Sequence, residues 1–213
     1  MPREGEDMND SSVPDIVVGR LPLYLRAIQS MRQQGQQVTS SQELGKVLGI
    51  SAAQIRKDLS QFGEFGKQGT GYNIEYLCEQ IQKILKVDRV WDVAVIGAGD
   101  IGSALARYQG FTNRGFQVTM VFDSNPQKIG RQEGSHIIQE SAKMVGSIKE
   151  AGVKIAMIAV PADQAQKVAD QLIEAGIKSI LNYAPTSISV PKDICLQHID
   201  PATHLQHMTY YLQ

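Results

Sequence analysis

Apolar positions recur at two different periods along the 213-residue chain, and the change of period divides it. Over residues 16–86 the spacing is helical. Leu25, Ile28 and Met31 share one side of a predicted helix over 22–34, opened by Pro22 and stopped by Gly35. Ser40 with Glu43, and Ser51 with Gln54, carry the spacing of a capping box and open two further helices. The first ends at Gly49, and the second runs through Ile55 and Leu59. Gly63, Gly66, Gly69 and Gly71 then exclude a helix and predict a tight hairpin. Ile74, Leu77, Ile81, Ile84 and Leu85 mark another amphipathic helix over 73–86.

Beyond residue 90 short apolar runs alternate with helical stretches, the pattern of an α/β unit around a parallel sheet. Strands are predicted over 90–96, 118–122, 154–160 and 179–181, with a helix over 103–108 and a last one over 204–212. No internal repeat or low-complexity tract interrupts the order.

Composition narrows the class. Hydrophobic residues are 42% and charged residues 20%, so the chain can bury a core. Cys78 and Cys195 fit a reducing cytosol without structural bridges, and no apolar run is long enough for a membrane span. The polar, acidic N-terminus lacks the apolar stretch of a secretory signal and is expected to be a flexible tail. Net charge is −1, but residues 16–67 hold seven Lys or Arg against three acids. That asymmetry points to a nucleic-acid-binding module joined to something else.

Two motifs carry chemistry. Gly97, Gly99 and Gly102 form a G-x-G-x-x-G run between a predicted strand and a helix, with Asp123 at the end of the next strand. Gly97 permits the turn, Gly99 admits a pyrophosphate to the backbone, and Gly102 lets helix and strand approach; Ala98, Asp100 and Ile101 complete the loop. Asp123 accepts from adenosine-ribose hydroxyls and repels a 2′-phosphate, which favours NAD(H) over NADP(H). A Rossmann-like domain without nucleotide, or with another adenosine ligand, remains the alternative. The second motif is a helix-turn-helix. Leu44, Leu48 and Ile55 supply its core, Gly45 the close crossing and Gly49 the turn. Its second helix presents Ser51, Gln54, Arg56, Lys57, Ser60 and Gln61 to DNA, and the glycine hairpin offers Lys67 and Gln68 as a wing. The same helices used on a protein partner are the alternative. His136, His198, His204 and His207 form no metal or catalytic pattern, and Cys78 falls on a core face. With no separate substrate domain, the chain is expected to sense a nucleotide rather than turn one over. The competing reading is a small NAD(H)-dependent reductase with an accessory helical domain.

These residues fall in stretches that resemble the Rex family of bacterial redox-sensing transcriptional repressors, from about residue 13 to 213. The stretches are RLPLYLR at 20–26, QIRKDLS at 54–60, FGEFGK at 62–67, GY at 71–72 and LNYAP at 181–185. The resemblance implies an α+β winged-helix DNA-binding domain over 16–86 after a tail over 1–15. It implies a doubly wound α/β Rossmann domain with a parallel sheet over 87–203, and a C-terminal helix over 204–213 exchanged between subunits. It further implies a cytoplasmic homodimer on a palindromic double-stranded operator, with no membrane role, released when NADH rises against NAD+. By position, Arg56 and Lys57 resemble recognition contacts and Lys67 a wing contact. Arg20, Tyr108 and Asp200 fall where the family links nucleotide state to domain orientation. Val160, Pro161, Asn182, Tyr183, Ala184 and Pro185 line the nicotinamide side. Gln68 stands where members carry a second basic wing residue, and Pro201 and His204 depart from the usual residues around the last helix.

Overall fold

A computed structural model describes residues 13–66 and 70–212. They divide into two compact units that meet between Asp88 and Arg89. Of the expected tail, residues 1–12 lie outside the described residues, and helix α1 (Asp15–Val18) already begins at its last position.

The first unit holds α2 (Leu21–Gln33), β1 (Val38–Thr39), α3 (Ser41–Leu48), α4 (Ala52–Ser60), β2 (Tyr72–Asn73) and α5 (Ile74–Ile84). Leu21, Ile28, Leu44, Ile55, Ile74, Leu77 and Ile81 are withdrawn from water into one core, each worth roughly 1.5–3 kcal/mol. Cys78 belongs to that core, and burial pushes its thiol pKa up. Ser40 and Ser51 cap α3 and α4 by accepting from the N–H groups of Glu43 and Gln54. The reciprocal half of each capping box is not made. Glu43 instead accepts from Thr39 Oγ1 and Gln36 Nε2, and Gln54 Nε2 donates to Asp58 Oδ1 at 2.7 Å. In both cases side chains four to seven residues away along the chain take the place of the backbone N–H. Gly49, at φ 67°, ends α3 in the left-handed conformation that glycine adopts without strain.

The expected hairpin takes a different partner. β2 pairs antiparallel with β1, Thr39 opposite Tyr72, and no strand forms over 63–66. Phe65 is buried in the core and anchors this segment. A Cβ on Gly66 would stand 2.5 Å from the Gly71 carbonyl oxygen, so the two arms run close. The positions assigned to Lys67 and Gln68 lie outside the described residues.

The second unit is a seven-stranded sheet. Its elements are β3 (Trp91–Ile96), α6 (Asp100–Arg107), β4 (Phe116–Asp123), β5 (Gln132–Glu133), β6 (His136–Glu140), α7 (Met144–Ala151), β7 (Ile155–Ile158), α8 (Ala162–Glu174), β8 (Ser179–Asn182), β9 (Cys195–His198) and α9 (Pro201–Thr209). The parallel strands lie in the order β6-β4-β3-β7-β8-β9, and β5 adds an antiparallel edge to β6. The chain works outward from β3 and then returns to β7, so the order reverses between those two strands. Along β3, Val93 and Val95 pack with Ala106 of α6, whereas Ala94 and Ile96 pack with Met144 and Ile148 of α7 and Leu172 of α8. Alternate side chains thus bury on opposite faces, the requirement of a doubly wound sheet.

The last helix corrects the expected boundary. It begins at Pro201, not at residue 204. Asp200 caps it by accepting from Ala202 N–H at 2.9 Å, and proline fits the first helical position because no N–H is needed there. No residue of α9 is buried, and Leu205, Met208, Tyr210, Tyr211 and Leu212 are all exposed.

Candidate functional site

The first candidate site lies where the strand order reverses, at the C-terminal ends of β3 and β7. Gly97 leaves β3 at φ 97° and donates to the Phe122 carbonyl at 2.8 Å. A Cβ there would collide with the Ala159 carbonyl oxygen, and one on Gly102 would collide with the Gly97 carbonyl oxygen. Both positions therefore demand glycine for packing alone. Gly99 is different. Its φ of −78° suits any residue, and a Cβ would meet nothing within 4 Å. No neighbour in the chain requires glycine at that position. The open space stands at the N-terminus of α6, whose first N–H groups form an anion site. Asp100 and Ile101 are exposed there, while Ala98 and Gly102 are buried.

Asp123, at the end of β4, closes one side of the loop. Its Oδ2 accepts from Ala98 N–H at 2.7 Å and its Oδ1 from Asn125 N–H at 2.8 Å. Each carboxylate oxygen keeps acceptor capacity for a ribose hydroxyl. On the other side, Ile158 pairs with Asn182 in the sheet, so the loops beginning at Val160 and Tyr183 leave adjacent strands. Val160 and Tyr183 are half-buried, and Pro161 and Pro185 are exposed. Asn182 is buried and acts within the protein. Its amide donates to Thr186 O at 2.8 Å and lies 3.1 Å from His198 Nδ1, and its Oδ1 accepts from Ala184 N–H at 3.0 Å. It shapes this loop: Ala184 is buried and its carbonyl accepts from Thr186 N–H at 2.7 Å, while Pro185 is exposed.

The second candidate site is on the first unit. α4 exposes Ser51, Arg56, Lys57, Ser60 and Gln61. Arg56 Nη1 donates to Ser41 Oγ at 2.9 Å, and both residues line a concavity of about 740 Å³. Ser40, Ser60, Gly63, Gly66 and Tyr72 also line it. Gln54 is only half-buried, but its amide is committed to Asp58.

Asp58 is the residue the sequence pattern did not single out. It is buried on α4, and Arg20 clasps it with Nε to Oδ2 at 2.5 Å and Nη2 to Oδ1 at 2.7 Å. Tyr24 donates to Oδ2 at 2.5 Å. Burial drives the Asp58 pKa up, but the hydrogen bonds from Arg20, Tyr24 and Gln54 outweigh it and hold the carboxyl below its usual range. Burial and the bond to Asp58 push the Tyr24 hydroxyl up to about 12. The available signal was spacing: Asp58 follows Ile55 by three and precedes Leu59, on the buried stripe. Of the other two residues grouped with Arg20, Tyr108 is half-exposed and packs edge-on against Phe111 at 4.9 Å, and Asp200 caps α9.

Comparison with known proteins matches this division. Residues 12–60 fit the family described as putative DNA-binding protein N-terminus, and residues 88–186 fit the CoA binding domain family. A redox-sensing transcriptional repressor Rex of Chloroflexus aurantiacus is 51% identical over 93% of this chain and 94% of its own length. The chain belongs to the Rex family. A Rex of Brevibacillus brevis is 42% identical over 94% of this chain and 97% of its own. Among solved structures, RSP in complex with β-NAD+ and operator DNA superposes with a TM-score of 0.91 at 35% identity, covering 95% of this chain and 94% of that one. RSP in complex with β-NADH gives 0.86 at 33%, covering 95% of each.

Proposed function

We propose that this chain is a redox-sensing transcriptional repressor that grips a palindromic operator as a homodimer and lets go when NADH binds. The observation that carries the reading is the space beside Gly99, which no side chain of the protein uses and which a pyrophosphate on the α6 N-terminus fits. Gly97, Ala98, Gly99, Asp100, Ile101 and Gly102 form the cradle, and Asp123 holds the adenosine ribose. Val160, Pro161 and the Asn182–Pro185 loop flank the nicotinamide. The two oxidation states differ there by one positive charge and by ring planarity. Tyr183 and Val160 give that end an apolar wall, and apolar surroundings disfavour an unpaired cation. The protein thereby favours the reduced form.

α4 is the recognition helix. Arg56 and Lys57 meet base edges or phosphates, Ser51, Ser60 and Gln61 add hydrogen bonds, and Lys67 and Gln68, which lie outside the described residues, are assigned to DNA contact from the sequence. By their positions in the family pattern, Arg20 in the first unit and Tyr108 and Asp200 in the second take part in switching, and the exposed α9 is exchanged between subunits. A ligand shifts such an equilibrium only by its differential affinity for the two forms. Moving it from 1:99 to 99:1 takes roughly 5.5 kcal/mol, shared here by two sites. The shift alters the spacing of the two recognition helices, which must match half-sites a whole number of turns apart. The chain works as a cytoplasmic regulator, not a catalyst. No described helix is long and apolar enough to cross a membrane.

The test is anisotropy of a labelled palindromic duplex at fixed salt. Added NADH is expected to release the DNA, and NAD+ to do so far less. Equal sensitivity to both overturns redox sensing. A second expectation concerns Asp123. Asp123→Ala removes two ribose acceptors, so NADH affinity falls by about tenfold and the preference for NADH over NADPH shrinks. Calorimetric titration of both nucleotides checks it, and unchanged selectivity would refute the ribose assignment.

A further inference from the structure

Beside the glycine loop and Asp123 stands a cation that the sequence motif did not include. Lys128 Nζ donates to the Ala98 carbonyl at 3.0 Å and stands 3.6 Å from Asp123 Oδ2. A turn brings it there. Lys128 N–H bonds back to Asn125 O at 2.9 Å, with Pro126 at the second turn position, so the chain doubles back toward the end of β4. The Asn125 side chain accepts from Gln127 N–H and fixes the same turn.

Asp123 is therefore not a bare carboxylate. Its Oδ2 already receives the Ala98 N–H and faces an ammonium, so the local charge is close to neutral. The Asp123 side chain is 11% exposed and that of Lys128 36%, so the lysine is the more accessible partner of the pair. We propose that Lys128 is a specificity-determining residue that tempers rejection of a phosphate monoester on the adenosine ribose. The proposal rests on the nucleotide reading of the cradle and adds a ligand class to it. Asp123 selects for free hydroxyls, and Lys128 offers a phosphate a charge-assisted partner beside the same carboxylate. The shared chemistry has two sources, the 2′-phosphate of NADPH and the 3′-phosphate of coenzyme A.

The experiment titrates NADH, NADPH and coenzyme A into the full-length protein and into its Lys128→Met and Lys128→Arg variants by calorimetry. Lys128→Met is expected to weaken NADPH or coenzyme A about tenfold more than it weakens NADH, with Lys128→Arg restoring the ratio. Selective weakening of NADPH assigns the 2′-position, and selective weakening of coenzyme A the 3′-position; either supports the proposal. Loss of all three ligands by one common factor overturns it, because Lys128 then only tethers Ala98 to Asp123. Equal affinities in all three proteins overturn it as well. A native protein that binds no NADH overturns the nucleotide reading itself, an outcome distinct from either.

Discussion

Gly99→Asp is expected to yield a repressor that folds normally and no longer lets go of its operator. Aspartate is among the preferred residues at a helix N-cap, where its carboxylate meets the unpaired N–H groups and the positive end of the dipole. Gly99 is the N-cap of α6, and nothing lies within 4 Å of where its Cβ would go. Stability should thus change by no more than about 0.5 kcal/mol. The same carboxylate fills the place of a pyrophosphate and repels it. NADH affinity is expected to fall at least about a hundredfold, some 2.7 kcal/mol. Thermal melts, NADH titration and operator anisotropy on one preparation check all three parts. Normal NADH affinity in a folded Gly99→Asp variant would remove the cradle from its assigned role. Gly97 and Gly102 cannot serve in this test, because a Cβ at either would strike backbone.

The second large effect lies in the other unit. Asp58→Asn leaves the partly buried Arg20 guanidinium facing a neutral amide at the edge of the core. Removing one partner of a buried pair costs about 3–5 kcal/mol, and the lower end applies because the Arg20 side chain is 20% exposed. For a unit of this size each kcal/mol moves the midpoint by about 4–8 °C, so the first unit should melt roughly 12–24 °C earlier. The sign with pH follows from the depressed Asp58 pKa. The folded protein holds the carboxylate ionised below the unfolded value of about 3.9, so its contribution is complete above that pH. It is lost as pH falls through the lower, folded value. Melts of native protein and Asp58→Asn, compared from neutral pH into acid, should converge at the acid end. A gap that stays constant with pH would mean that the carboxylate charge is not what stabilises the unit.

The parts of this structure that were legible in the chain are those fixed by nearest neighbours. Ser40 and Ser51 cap their helices as their spacing dictates, and the glycine loop follows a strand and opens a helix. Where a second side chain within a turn or two competes, the capping pattern misleads. Glu43 and Gln54 have capping-box spacing, yet Thr39, Gln36 and Asp58 take their side chains. β9 escaped notice because it is an edge strand with mostly exposed positions, so it carries no apolar run. In α8 the buried face is largely alanine, at Ala165 and Ala169, which blunts the helical period. The start of α9 was masked by Pro201, which signals a break when read along a helix and a start when Asp200 is seen to cap it. Asp58 and Lys128 share one cause of invisibility. Each matters through residues 38 and 30 positions away, distances over which a single sequence gives no contact information.

Helix α9 has a bearing on how the protein behaves as it is diluted. Nine residues are too few to hold helical order in water unaided, and none of these is covered by its own chain. Whatever order the segment has in solution must be borrowed from a surface that supplies apolar cover. When that surface is a second copy, mass action governs the C-terminus, and the amount of repressor in the cell becomes an input alongside the nucleotide pool.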